Sequence, residues 1–186
     1  MLNRVAVFID NSNIFKALQK FRKNNPNIWN VCLYNPLTLA QKLVGSRELV
    51  FVGFYCAPPP SSLSQGNNDD KYRYSTAMKY YGLVSNLNLV EIKYATVNGT
   101  QGSLKEKNLD TQLVADMTLM AALNKYDTAI LVSNDGDYVS GVKPVKQLGK
   151  KVEVLYFKGE CSFNLRKECD IPRVARPSFF QKIAGI

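Results

Sequence analysis

The 186 residues of this sequence are enough for one domain with a buried core, and a hydrophobic content of 46% excludes a disordered chain. The net charge of +9 favours nucleic acid or an anionic membrane surface as a partner, although a surplus that serves only solubility gives the same number. The absence of histidine excludes Ser-His and Cys-His catalysis and histidine-bound zinc, and the four cysteines include no CxxC pair typical of zinc or redox motifs.

Short apolar runs rich in β-branched residues predict strands, and apolar residues at helical spacing predict the helices between them. The strand Leu89–Val97 alternates more than the others and is expected nearer to a sheet edge. In chain order the predicted elements are the strand Val5–Ile9, the helices Asn13–Phe21 and Pro36–Val44, the strand Leu49–Tyr55, the helix Lys71–Leu83, the strand Leu89–Val97, the helix Leu109–Tyr126, the strand Ala129–Val132, the helix Tyr138–Leu148, the strand Val152–Phe157 and a short helix near Phe163–Lys167.

This alternation predicts a single α/β domain over residues 1–186, a three-layer α/β/α sandwich with a mostly parallel sheet of about five strands. Right-handed crossovers place the loops after the strands along one sheet edge, where such folds bind ligands. The Pro-, Ser- and Asn-rich segment near 57–70 predicts a mobile loop, which is either a lid or a disordered insertion. Residues near 171–186 are expected to form an irregular tail.

The first apolar run, Val5–Ile9, is short and ends at Asp10, so we expect neither a signal peptide nor a membrane span. These features predict a cytoplasmic protein with reduced thiols and no membrane partner. Association into a homo-oligomer stays open.

Aspartates follow the predicted strands on the edge where ligands are expected. Asp10 ends the first strand, and Asp135 and Asp137 follow the strand Ala129–Val132. Asp110 opens the long helix, behind Asn108 as the expected N-cap. Each aspartate alone is more often a turn or helix-start residue than a ligand, and that structural role stays open for each.

Carboxylates gathered at one edge repel one another, so their pKa values rise unless a cation neutralises them. Mg²⁺ and Mn²⁺ prefer such oxygen ligands, and a metal-activated water is the nucleophile that a sequence without histidine favours for attack on a phosphate ester. A haloacid-dehalogenase-like phosphatase would need Asp at the position of Ser12, and no GxxxxGK[ST] or GxGxxG motif indicates nucleotide binding.

Three segments resemble motifs of the NYN domain family, in the order that the family shows. Val5–Asn13, VAVFIDNSN, resembles its opening strand, which ends in Phe-Ile-Asp-x-x-Asn. Lys107–Asp116, KNLDTQLVAD, resembles its Lys-x-x-Asp-x-x-Leu-x-x-Asp helix. Tyr126–Tyr138, YDTAILVSNDGDY, followed by LGKKV at Leu148–Val152, is similar to its most recognisable stretch. The match is to the LabA-like branch and spans nearly the whole chain.

The resemblance implies a PIN-like, Rossmann-like fold and a ribonuclease that depends on Mg²⁺ or Mn²⁺. It also implies that Asp10, Asp110 and Asp135 are metal ligands and that Asp137 is a further ligand or positions water. The supporting residues that it implies are Asn13, which would hold Asp10 or a substrate phosphate, Asp116, Ser133 and Asn134. The sequence departs from the family pattern at Asn11, where glycine is usual, and at Ser140 and Gly141.

A negative site that acts on RNA needs basic residues around it. Basic residues interleaved with tyrosines are the composition that holds a nucleic-acid backbone and stacks unpaired bases. Lysines that merely face solvent, and a core role for Tyr80 and Tyr81, are the open alternatives. The candidate substrate-binding residues are Lys16, Lys71, Arg73, Lys105 and Lys107.

The function expected from these features is a metal-dependent endoribonuclease that cleaves single-stranded RNA with an activated water. A catalytically silent RNA-binding or regulatory scaffold of the same fold is the alternative. A metal-dependent phosphatase acting on small phosphate esters is a third reading, and fold alone does not decide among them.

Overall fold

A six-stranded parallel sheet forms the centre of the protein. The structure is a computed structural model that describes residues 2–24, 33–98, 105–176, 179–180 and 183, with the backbone alone at 24, 96–98 and 105–107. The strand order across the sheet is β3-β2-β1-β6-β7-β8, and a separate antiparallel pair joins β4 to β5. The strands are β1 (Arg4–Asp10), β2 (Glu48–Cys56), β3 (Val90–Tyr94), β4 (Thr96–Asn98), β5 (Lys105–Lys107), β6 (Thr128–Val132), β7 (Lys151–Phe157) and β8 (Ile171–Ala175).

In the described part of the chain, six α-helices connect these strands, and two short 3-10 helices lie at Ser61–Gln65 and Gly136–Tyr138. The α-helices are α1 (Asn11–Asn24), α2 (Pro36–Val44), α3 (Asn68–Ser85), α4 (Leu109–Ala122), α5 (Val139–Gln147) and α6 (Phe163–Glu168). Across the residues described, no helix combines the length and the apolar character needed to cross a membrane.

Both faces of the central strand are buried, which explains its continuous apolar run. Val5, Val7 and Ile9 pack on the side of α1, α2 and α3. Ala6 and Phe8 pack on the other side with α4, α5 and α6, because side chains alternate along a strand. The predicted three-layer α/β/α sandwich is confirmed, with six strands in its sheet rather than about five.

The sheet reverses its direction of growth at β1. The chain adds β2 and β3 on one side of β1, and then adds β6, β7 and β8 on the other side. Such a switch point opens a crevice at the carboxyl ends of the two strands where the order reverses, here β1 and β6. Ile9 is the register partner of Val132, so Asp10 and Ser133 leave the sheet side by side at this edge.

Three predicted elements differ from the structure. Ile171–Ala175, predicted as part of an irregular tail, forms β8 and pairs with β7. The predicted strand Leu89–Val97 is divided between β3 and β4. The predicted helix Leu109–Tyr126 ends at Ala122, two residues before Asn124, which has a φ of 54°.

Two further segments have local structure that the sequence did not specify. The segment near 57–70 contains the 3-10 helix Ser61–Gln65 and the first turn of α3, whose N-cap Asn67 accepts from the backbone of Asp70 at 2.9 Å. Its mobility stays a prediction. Asn108 precedes α4 as expected but makes no capping hydrogen bond through its side chain, because its backbone is left-handed with a φ of 71°.

Candidate active site

Asp10 is a buried carboxylate at the carboxyl end of β1, with only 3% of its surface exposed. Its Oδ1 accepts from the backbone nitrogen of Asn13 at 3.0 Å, which caps the start of α1. Its Oδ2 accepts from the Ser133 hydroxyl at 3.0 Å and lies 3.1 Å from the Tyr138 hydroxyl. Burial raises the pKa of Asp10 to about 6, and the nearby charge of Asp110 adds to this, although the hydrogen bonds oppose it.

The Tyr138 hydroxyl bridges two carboxylates. It lies 2.7 Å from Oδ1 of Asp110 as well as 3.1 Å from Oδ2 of Asp10. Burial and these two carboxylates raise the pKa of Tyr138 well above its usual value, so the hydroxyl keeps its proton. One hydroxyl has one proton and donates to one carboxylate at a time. The two carboxylates therefore share one donor, and this neutral hydroxyl does not cancel negative charge as a bound cation would.

Asparagine and serine side chains hold the loop after β6 against the start of α1. The Asn13 Oδ1 accepts from the backbone and side-chain nitrogens of Asn134 at 3.0 and 2.9 Å. The Asn134 Oδ1 accepts in turn from the backbone of Phe157 at 2.8 Å, and the Ser133 hydroxyl accepts from the backbone of Asp135 at 3.2 Å. Asn13 thus holds Asp10 through its backbone, while its side chain positions the loop.

Asp135, Asp137 and Asp116 make other contacts than the Asp10–Asp110 pair does. The Asp135 Oδ1 accepts from the backbone of Asp137 at 3.0 Å, which caps the 3-10 helix, and Asp137 is exposed. Asp116 accepts from the Tyr55 hydroxyl at 2.8 Å. Within the described ranges, no three acidic or cysteine side chains approach closely enough to form a metal-binding group. The four-aspartate ligand set therefore stays a prediction.

The four predicted ligands differ in their ion pairing from several acidic side chains elsewhere in the protein. Asp127 binds Arg4 at 2.8 Å, and Asp170 binds Lys146 at 3.2 Å. Glu153 also has arginine partners. Among the side chains described, none of the four predicted ligands forms such an ion pair. The Asp10 and Asp110 carboxylates converge on one hydroxyl, and Asp10 is buried without a cationic partner in the described part of the chain. Carboxylate oxygens are the ligands that divalent ions such as Mg²⁺ and Mn²⁺ prefer, so these two residues fit such an ion.

The candidate substrate-binding residues divide into three groups. Lys16 is exposed on α1 and lines a cavity of about 500 Å³ together with Asn13 and Asp135. Lys71 and Arg73 are exposed on α3. The side chains of Lys105 and Lys107 lie outside the described part of the structure.

The tyrosine pair of α3 serves the core rather than a substrate surface. Tyr80 is buried and donates to the carbonyl of Tyr34 at 2.8 Å, and Tyr81 donates to the carbonyl of Ala57 at 3.2 Å. The bridging role of Tyr138 was missed by the sequence reasoning. Its two contacts join residues that are 28 and 128 positions apart, and no local pattern marks such a contact.

Comparisons with known proteins agree with this fold. The model of the NYN domain family matches residues 4–174. The chain is 23% identical over 168 residues to the low amplitude and bright protein LabA of Synechococcus elongatus. This alignment covers 90% of this chain and 81% of the relative. It also resembles the crystal structure of a Vibrio parahaemolyticus protein of unknown function, with a TM-score of 0.67, 20% identity and 94% of each chain covered.

Proposed function

The chain belongs to the NYN domain family, within the PIN-like nuclease superfamily, and on this premise we propose that it is a metal-dependent endoribonuclease acting on single-stranded RNA. One observation carries the proposal. Asp10 and Asp110 converge on the Tyr138 hydroxyl at the switch point of the sheet, where the described side chains provide no cationic partner.

Each residue of the edge has a defined task in this proposal. Asp10 and Asp110 hold the ion, with Asp135 and Asp137 as the further ligands that the family resemblance implies. The chemistry that Mg²⁺ or Mn²⁺ supplies when bound is activation of water and stabilisation of charge on a phosphoryl group. The Ser133 hydroxyl and the backbone of Asn13 keep the Asp10 carboxylate in place.

Substrate binding in this proposal starts beside the carboxylates. Lys16 lies on the same cavity as Asp135, so it contacts a phosphate of the RNA strand that enters the site. A single strand suits this edge because its phosphates and its unpaired bases are both accessible to side chains. Lys105 and Lys107, which precede Asp110 in the chain, stay candidates for further phosphate contacts.

The proposal is tested by incubation of the protein with end-labelled single-stranded RNA in Mn²⁺, in Mg²⁺ and in EDTA. We expect internal cleavage products with either metal and none in EDTA, because the carboxylates act through the ion. Equal products in EDTA and Mn²⁺ would show a metal-independent reaction or a contaminating nuclease. A protein that binds the RNA without cutting it in any of the three solutions would contradict the enzyme.

A scaffold that binds RNA without cutting it is the second candidate, and the position of Tyr138 favours it. The Tyr138 hydroxyl stands between Asp10 and Asp110, where the proposed enzyme holds its ion. A cation must then compete with this hydroxyl for the two carboxylates. If the hydroxyl always occupies the two carboxylates, the protein keeps its fold but binds no metal ion there and does not cleave RNA.

Substitution Tyr138→Phe tests, through metal binding, whether the hydroxyl competes with the ion for the two carboxylates. Loss of the hydroxyl leaves the two carboxylates without their shared donor, so we expect Mn²⁺ to raise the melting temperature of the variant more than that of the wild type. Tyr126→Phe is the matched control, since the buried Tyr126 hydroxyl donates to the Met117 carbonyl at 2.7 Å and has no part in the site. If Mn²⁺ raises the melting temperature of Tyr138→Phe less than that of the wild type and of Tyr126→Phe, the hydroxyl helps to hold the ion.

A further inference from the structure

A groove runs from the carboxylate edge along α1 towards the end of β8. Its first part is the cavity of about 500 Å³ beside Asp135. Its second part, of about 740 Å³, lies between α1, the end of β7, α6 and β8. The two parts share Ala17, Lys20 and Glu160, so they adjoin each other along α1. We call it the basic groove, after the cationic residues that line it, Lys16, Lys20, Lys158, Arg166 and Arg176.

Five cationic side chains and two acidic ones, Asp135 and Glu160, line the basic groove, so positive charge is in excess there. Glu160 pairs with Lys20 at 2.6 Å, which removes one cation from the balance. In the described ranges, neither Lys16 nor Lys158, nor Arg166 nor Arg176, pairs with a carboxylate. A groove with several uncompensated cations concentrates anions, and a polyanion can occupy its whole length.

Arg166 is held by aromatic rings instead of by a carboxylate. Its guanidinium carbon lies 5.5 Å from the ring centre of Tyr156 and 5.7 Å from that of Phe163. Its buried Nε has no hydrogen-bond partner among the described residues, whereas Arg47 binds Glu153 at 2.6 Å. Stacking orients a guanidinium without using its N–H donors, so the outer donors of Arg166 stay available to a ligand. A guanidinium fork matches the oxygens of a phosphate group.

We propose that the basic groove binds the phosphodiester backbone of single-stranded RNA, with Arg166 as the residue that anchors a phosphate away from the cleavage site. This inference rests on the proposed function, because the groove begins beside Asp135, one of the proposed metal ligands. RNA fits better than an acidic protein segment, since the Phe163 ring beside Arg166 is 67% exposed and offers a face to an unpaired base.

The test measures the affinity of the full-length protein for a fluorescein-labelled single-stranded RNA in EDTA, by anisotropy at several salt concentrations. Arg166→Gln is expected to weaken binding about tenfold, the size of one lost charge-assisted hydrogen bond. The slope of log affinity against log salt should fall by about 0.7 for each lost phosphate contact on a single strand. Lys125→Gln is the matched control, because Lys125 is exposed before β6 at the opposite edge of the sheet, and it should change affinity by less than about twofold.

A second variant guards against loss of folding, because Arg166 contacts two aromatic rings. Lys158 and Arg176 are exposed, so the double substitution Lys158→Gln/Arg176→Gln removes two charges from the groove without disturbing those rings. Its salt slope should fall by about 1.4, twice the value for one contact. If melting shows that Arg166→Gln is unfolded, the double variant alone decides.

The outcomes separate the groove from the enzyme. If the folded groove variants bind RNA with the affinity and the salt slope of the wild type, the groove proposal is wrong. It is also wrong if the wild type binds poly-glutamate but not RNA. If the groove variants bind RNA like the wild type and the wild type cuts RNA in Mn²⁺, the proposed enzyme activity is supported and the groove proposal is not. Weakened binding in the groove variants, with no cleavage by the wild type, supports the groove and contradicts the nuclease.

Discussion

Substitution Asp10→Asn is expected to slow RNA cleavage in Mn²⁺ by about a thousandfold or more, the loss that follows when a metal's contribution of several kcal/mol is removed. Asparagine keeps the size of the side chain and the Oδ1 acceptor for the backbone of Asn13, but it removes a negative ligand. The measurement is the single-turnover rate on labelled single-stranded RNA with enzyme in excess.

Asp127→Asn is the matched control for this rate. Asp127 precedes β6 at the opposite edge of the sheet, where it binds Arg4, so its loss removes the same charge far from the site. We expect the control to cut at nearly the wild-type rate. If Asp10→Asn cleaves RNA at a rate within a few fold of this control, Asp10 has no part in the cleavage reaction.

The same substitution is expected to stabilise the metal-free protein above neutral pH, by up to about 3 kcal/mol. The pKa of Asp10 is about 6 in the fold against an ordinary value of 3.8, so the folded state holds its proton more tightly than the unfolded state does. This carboxyl therefore does not weaken the fold below about pH 4, and its ionisation costs stability as the pH rises from 4 through 6. The amide side chain of the variant cannot ionise, so the variant avoids this cost.

Urea unfolding in EDTA at several pH values measures this effect. The free energy of unfolding of Asp10→Asn should exceed that of the wild type at pH 7.5, and the difference should vanish near pH 4. The Ser133 and Tyr138 hydroxyls can accept as well as donate, so the amide keeps hydrogen-bond partners. A wild type that is more stable than Asp10→Asn at pH 7.5 would show that its hydrogen bonds outweigh the cost of burying the charge.

The parts of the fold that the sequence predicted well are those buried on both faces. In β1 and β6 every position from Val5 to Ile9 and from Thr128 to Val132 is buried, so the apolar runs are unbroken. β8 was missed because it is an edge strand with a single neighbour, a proline at Pro172 and mostly exposed side chains. An exposed edge strand depends on its partner strand rather than on its own residue pattern.

The site could be predicted only where its residues follow strands of known order. Asp10 and Ser133 meet because parallel strands end at one edge, which follows from the alternation of elements alone. The bridge from Tyr138 to Asp110 depends on how α4 packs beside the 3-10 helix, and the stacking of Arg166 depends on the distance between α6 and β7. Such contacts follow from tertiary packing and leave no periodic trace in the sequence.

The most direct test of the central claim, that this edge cuts RNA through a bound metal ion, sets cleavage rate against RNA affinity for the wild type and Asp10→Asn in the same Mn²⁺ solution. The variant should bind RNA as tightly as the wild type or more tightly, because a negative charge has left a polyanion site. It should cut at least about a thousandfold more slowly. A wild type that cuts no RNA in Mn²⁺, while both proteins bind it alike, would contradict the enzyme and support the scaffold.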